Sequence, residues 1–191
     1  AALGPVAAAI VSATFYHHPV EMISSEIPLA WSIASPESII AARFDGVDQV
    51  LRRLLFEQIG SPQITEAVEL VREAMTGCSL AGRPLFAAHA ALEWPSAPHV
   101  ALWHGLNLFR EHRGDGHTSV VMAAHLTPQQ TAPLLIAATG ENRDGRSWRW
   151  TDDGWNKAVA DLQERGWLDD AGGLTDEGQS ARTRIEEETD G

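Results

Sequence analysis

Three times in this chain a hydroxyl residue followed by proline stands directly ahead of an apolar run: Ser35-Pro36, Ser61-Pro62 and Thr127-Pro128. Ser and Thr satisfy the orphan N–H groups that open a helix. Proline at the first helical position loses nothing, because its N–H would have had no partner there. A chain punctuated in this way folds into helices. Behind Ser35-Pro36, Ile39, Ile40, Phe44, Val47, Val50, Leu51, Leu54 and Leu55 recur at helical spacing. Behind Ser61-Pro62, Ile64, Val68, Val71 and Met75 do the same until Gly77. Further helices are expected over residues 5–16, opened by Pro5, over 20–25, ending before Pro28, and over 83–92. Another is expected over 99–112, with Leu102, Leu106 and Phe109 on one face. The Gly114-Asp115-Gly116 triplet predicts a turn, with Asp115 capping the next helix, and Thr127-Pro128 opens one that ends at Gly140.

The last fifty residues carry the most specific order of elements. Thr151-Asp152-Asp153 opens a helix whose inner stripe is Trp155, Val159 and Leu162, stopped by Arg165-Gly166. Trp167-Leu168 and Gly173-Leu174 can pair around an acidic turn, and Thr175-Asp176-Glu177-Gly178 starts a final helix with Ala181 and Ile185 inward. Trp155 is expected to be buried against Leu162, and Trp148, Trp150, Trp155 and Trp167 to fill the core around the pair. The fold class expected is all-α with a small β-wing, in winged helix-turn-helix order.

The segments "LTPQQTAPLLIAATG", "ADLQERGWLDD" and "LTDEGQSARTRIE" resemble the corresponding pieces of MarR-type winged-helix regulators. Over nearly the whole chain, "ATFYHHP" and "ALWHGLNLFREHRGDGH" are similar to an uncharacterised actinobacterial winged-helix-like family. That family implies a fold, and a helical segment ahead of Leu3, but no activity. Leu3-Gly4-Pro5 parallels Leu126-Thr127-Pro128, and Trp31-Ser32 parallels Trp150-Thr151. Residues 96–191 therefore read as a winged-helix-like half and residues 1–95 as a helical half, either a degenerate repeat of it that imitates the two-fold of a dimer or an Ala-rich helical stretch that merely looks alike.

Charge bears on partners. The chain has 26 acidic and 14 basic residues, a net of −12. Residues 141–191 hold 14 of those acids against seven bases. Non-specific DNA affinity comes from Lys and Arg displacing counterions, and the helix over 151–165 would present Asp152, Asp153, Asp161 and Glu164, with Asp169 and Asp170 at the wing. Arg143, Arg146 and Arg149 stand ready to clamp phosphate, among Glu141 and Asp144. Duplex DNA is not an expected partner. Neither is a membrane, since no apolar run approaches ~20 residues. With no secretory signal legible at its start, the expected location is cytoplasmic. Cys78, the only cysteine, excludes an internal disulfide and a cysteine-based zinc site.

The candidate site is the run Arg110-Glu111-His112-Arg113-Gly114-Asp115-Gly116-His117 with Trp103 and His104 upstream. Arg110 and Arg113 are i,i+3 neighbours, suited to gripping an anion in fork geometry, and Asp115 and His117 have the makings of an acid/base pair. The plainer reading is a helix end with favourable cations and a glycine turn. Of His17 and His18, which point about 100° apart on a helix, one can face a pocket; His18 joins the expected site. The ligand-binding set is thus His18, Trp103, His104, Arg110, Arg113, Asp115 and His117. No metal is expected there, and a homodimer is compatible with the resemblance. The function expected is small-ligand binding or sensing on a MarR-like winged-helix scaffold with weak or no DNA binding, a small anion being the partner that the two arginines suit. The alternatives are an enzyme acting on such an anion through His104, Arg110, Arg113, Asp115 and His117, or a DNA-binding regulator.

Overall fold

A computed structural model describes residues 1–140 and 150–191. Among these residues are nine α-helices: α1 (Ala8–Thr14), α2 (Val20–Ile33), α3 (Pro36–Leu55), α4 (Pro62–Met75), α5 (Pro84–Ala90), α6 (Pro98–Ala123), α7 (Pro128–Thr139), α8 (Asp152–Glu164) and α9 (Asp176–Asp190). The fold is helical and winged-helix-like, its wing reduced to one antiparallel bridge between Leu168 and Leu174. The chain divides into two compact units. The first comprises Ala1–Val6 and Pro28–Gly116, and the second Ala7–Ile27 and His117–Gly191. These units are spatial, and they cut the chain at different points from the 1–95 and 96–191 halves.

Local signals placed most helix starts. Ser35, in extended backbone, accepts from Ser38 N at 3.2 Å. Thr151 and Thr175 accept likewise from Gly154 N (3.2 Å) and Gly178 N (3.0 Å). Other elements depart from these expectations. Helix α1 begins at Ala8, not Pro5, because Gly4 takes a left-handed turn (φ +77°) whose N–H returns to Ala1 O. It also ends at Thr14, two residues short of Tyr16. Helix α2 runs through Pro28 instead of stopping before it. The missing N–H costs one helical bond, and the far half is held by Trp31, whose indole donates to Val6 O at 3.1 Å.

Helix α6 is continuous across Gly114-Asp115-Gly116, where a turn was expected. Each glycine inside a helix costs ~1 kcal/mol relative to Ala, and side-chain contacts offset it. The Asp115 carboxylate accepts from Phe86 N in the first turn of α5 at 2.8 Å, so it caps α5 and not a following helix. Arg83 donates through Nη1 to His112 O. A Cβ on Gly116 would stand 3.2 Å from the Arg83 guanidinium carbon, so this glycine answers a close approach. The phase of α6 is also shifted. Leu106 is 54% exposed, while His104, Asn107, Leu108, Glu111 and Asp115 are buried. In α3 the apolar stripe is at most half-buried, and Val50 and Leu54 are exposed.

In the second unit the core gathers Val121, Leu126, Leu134, Leu162, Trp167, Leu168, Ala181 and Ile185. The inner residues of α8 are Ala158 and Leu162. Leu162 is fully buried and Val159 packs against the core, as the expected stripe has it, but Trp155, at the start of the same face, is only half-buried and not the buried anchor expected. Trp167 anchors the wing instead: its N–H bonds Leu162 O (2.9 Å), and Thr175 N bonds its carbonyl (3.2 Å). Asp169 shapes the turn by accepting from Ala171 N (2.9 Å) and Gly173 N (2.8 Å). A Cβ on Gly178 would lie 2.9 Å from the Trp167 carbonyl carbon, which is backbone and cannot swing aside. Gly178→Ala is therefore expected to cost ~1–3 kcal/mol or more despite alanine's better helix propensity. A urea midpoint that rises would show that α9 can move away freely.

Candidate functional site

A cavity of about 140 Å³ opens into the core of the second unit. Its walls come from four stretches of chain. Helix α6 supplies His117 and Val121, with Leu126 just beyond it; α7 supplies Thr131, Leu134 and Leu135; α9 supplies Arg182, Ile185 and Glu186; and the segment after α1 supplies His17. Tyr16 fixes that segment by donating its phenol hydrogen to Leu126 O at 2.6 Å. The neighbouring His17 is thereby brought to the cavity.

The two imidazoles are held alike. His17 Nδ1 lies 3.2 Å from Thr131 Oγ1, and that hydroxyl gives its own hydrogen to Pro128 O at 2.8 Å. His117 Nδ1 lies 3.0 Å from Thr189 Oγ1, which donates to Ile185 O at 2.6 Å. With its hydrogen committed, each threonine oxygen can only accept, so both rings carry their proton on Nδ1. The ring centroids are 6.1 Å apart. Burial first, then the nearby His117 and His18, push the His17 pKa down to about 4, so this ring is neutral at pH 7. Arg182 and Glu186 form a loose i,i+4 pair at 3.8 Å.

The first unit holds a buried polar network. Arg43 reaches His89 Nε2 and donates to Asn107 Oδ1, both at 3.1 Å, and its guanidinium lies 4.8 Å from the Trp103 ring centre. His89 Nδ1 donates to Leu85 O at 2.9 Å, leaving Nε2 to accept from Arg43. His104 is 1% exposed and stands edge to face with Phe44 (5.5 Å) and Trp94 (5.1 Å). Burial, with His89, Arg43 and Arg72 nearby, lowers its pKa to about 4. His104 Nε2 and Asn107 Nδ2 are buried without a hydrogen-bond partner among the described residues.

The seven residues singled out from sequence fall in both units. Trp103, His104, Arg110, Arg113 and Asp115 belong to the first unit, and His18 and His117 to the second. Arg110 and Arg113 point to solvent, Arg110 with Glu111 at 2.7 Å, while His104 and Asp115 are buried. His117 lines the cavity and His18 does not. His17, Thr131, Arg182 and Glu186 line it without having been singled out. The adjacent His17 and His18 gave a signal, but which one faced inward depended on the Tyr16 anchor. Among the described residues no group of three or more His, Cys, Asp or Glu has the arrangement to hold a metal ion. Among them, too, no helix is long and apolar enough to cross a membrane.

Helix α8 carries Asp152, Asp153, Asp161 and Glu164 against Lys157 alone. Even that ammonium is engaged, with Asp161 Oδ1 and Oδ2 at 2.7 and 2.9 Å. Arg143, Arg146 and Arg149, the expected phosphate clamp, lie outside the described residues, as does Trp148.

The helical architecture with its single β-bridge is of the winged-helix-like, helix-turn-helix class. The chain belongs to a helix-turn-helix family whose profile matches residues 1–191. No curated protein and no solved structure matches it.

Proposed function

We propose that the protein binds a small molecule in the cavity of its second unit and acts as a sensor on a MarR-like winged-helix scaffold, with little grip on DNA. The cavity carries this reading. Val121, Leu126, Leu134 and Ile185 border a half-open cavity of about 140 Å³ beside two oriented imidazoles. An apolar pocket with a few placed polar groups is the usual form of a small-molecule site. The resemblance of the α7, α8 and α9 segments to MarR-type pieces supports the scaffold, and the likeness of "ATFYHHP" and "ALWHGLNLFREHRGDGH" to an actinobacterial family supports an actinobacterial origin.

A fragment library screened by thermal melting tests this. At a hundredfold excess over Kd a ligand adds ~2.7 kcal/mol, a rise of about 5–10 °C for a chain this long. Leu135→Phe, which fills the cavity, should abolish that rise. A rise that survives Leu135→Phe would place the ligand elsewhere and overturn the reading.

Family membership favours a second reading, a DNA-binding regulator. The acidic face of α8 opposes it, since carboxylates repel phosphates and release no counterions. Fluorescence anisotropy on random duplexes should show no sub-micromolar binding at ~0.15 M salt. Tight binding with a steep salt slope would instead establish the regulator.

A further inference from the structure

We infer that this cavity selects a small uncharged alcohol, an apolar body bearing one hydroxyl that donates to His17 Nε2. The inference rests on the ligand-binding reading above and names the chemistry of its ligand. Thr131 Oγ1 has spent its hydrogen on Pro128 O, so His17 Nδ1 must be the donor in the 3.2 Å contact between them. A neutral imidazole protonated on Nδ1 presents a lone pair on Nε2. The ring therefore offers the cavity it lines an acceptor. A hydroxyl or N–H satisfies an acceptor, whereas a carboxylate or carbonyl oxygen would face it lone pair to lone pair.

The surroundings narrow the choice further. An anion would need His17 protonated, and burial beside His117 and His18 opposes that. A cationic amine would have to leave water for walls formed by Val121, Leu126, Leu134, Leu135 and Ile185. Arg182 is the cation at this site, and Glu186 lies 3.8 Å from it to compensate its charge. Size sets the rest. A cavity of ~150 Å³ lined by apolar side chains holds benzene, so about 140 Å³ suits a body of roughly six to eight non-hydrogen atoms.

The test compares three monosubstituted benzenes on the full chain: benzyl alcohol and ethylbenzene, alike in shape, and benzoate, one non-hydrogen atom larger. Affinities come from calorimetric titration, and amide shifts of Val121 and Leu134 in ¹H–¹⁵N spectra locate each probe. Benzyl alcohol should bind about tenfold more tightly than either competitor, the value of one hydrogen bond at a desolvated site. His17→Phe keeps a ring and removes this acceptor, so the hydroxyl is buried unpaired and benzyl alcohol should fall to or below the affinity of ethylbenzene. Thr131→Val releases the tautomer and should reduce the preference without weakening ethylbenzene. If His17→Phe does not fold, the order of the three probes on the native chain decides by itself.

Equal binding of benzyl alcohol and ethylbenzene would overturn the hydroxyl inference while leaving the cavity as a ligand site. Tightest binding of benzoate would overturn it too and transfer recognition to Arg182. If no probe shifts Val121 or Leu134, this inference and the ligand-binding reading fall together.

Discussion

Replacing Trp167 with alanine is expected to lower stability by about 3–5 kcal/mol, the usual cost of truncating a large buried aromatic. The indole is 6% exposed and packs with Leu162, Leu168, Ala181 and Ile185. Arg165 stacks over it, 3.9 Å from the ring centre, while its Nη2 donates to Ala124 O at 2.7 Å. Losing the ring therefore also frees an arginine that satisfies the carbonyl end of α6. Trp155→Ala should cost less than half as much, because that side chain is only half-buried. Urea denaturation followed by circular dichroism distinguishes the two. A Trp167→Ala midpoint equal to the native one, at unchanged slope, would refute the assignment of Trp167 as the wing's anchor.

Acidification from pH 6.5 to 4 should be the second large effect. His17 and His104 both fall to a pKa of about 4 in the folded chain, against an ordinary 6.5. The unfolded chain then binds more protons throughout that window, so stability declines as pH falls, by up to ~1.4 kcal/mol per pH unit for each ring. The stabilisation is complete above pH 6.5 and spent at pH 4, amounting to at most about 3 kcal/mol for each histidine. Burial moves His18 and His89 in the same direction. His104→Leu should flatten the profile by one histidine's share and cost little at pH 7.5, because Nε2 has no hydrogen bond to lose. An unchanged slope in His104→Leu would show that this ring titrates normally.

Much of the fold could be read from neighbouring residues alone. Ser35-Pro36, Ser61-Pro62 and Thr127-Pro128 open α3, α4 and α7, and Thr151 and Thr175 cap α8 and α9. The Leu168–Leu174 bridge also falls where the apolar pairs on either side of an acidic turn predicted it. A cap acts within three residues, so its energy is written where the helix starts. The acidic character of α8 is equally a property of the sequence.

The candidate site required more than neighbouring residues. Gly116 reads as a turn until Arg83, 33 positions earlier in the chain, lies against it. Asp115 reads as a cap for the residues that follow it, but its carboxylate finds the N–H of Phe86. Pro28 reads as a stop, and α2 passes through it. His17 and His18 are equivalent until Tyr16 bonds Leu126, 110 positions away, and turns one of them toward the cavity. Sequence by itself determined the starts of α3, α4, α7, α8 and α9 and the charge of α8. Which glycine is a turn, which polar face is buried and which histidine meets the cavity were decided only by tertiary structure, because contacts between distant residues outweigh a local preference of about 1 kcal/mol.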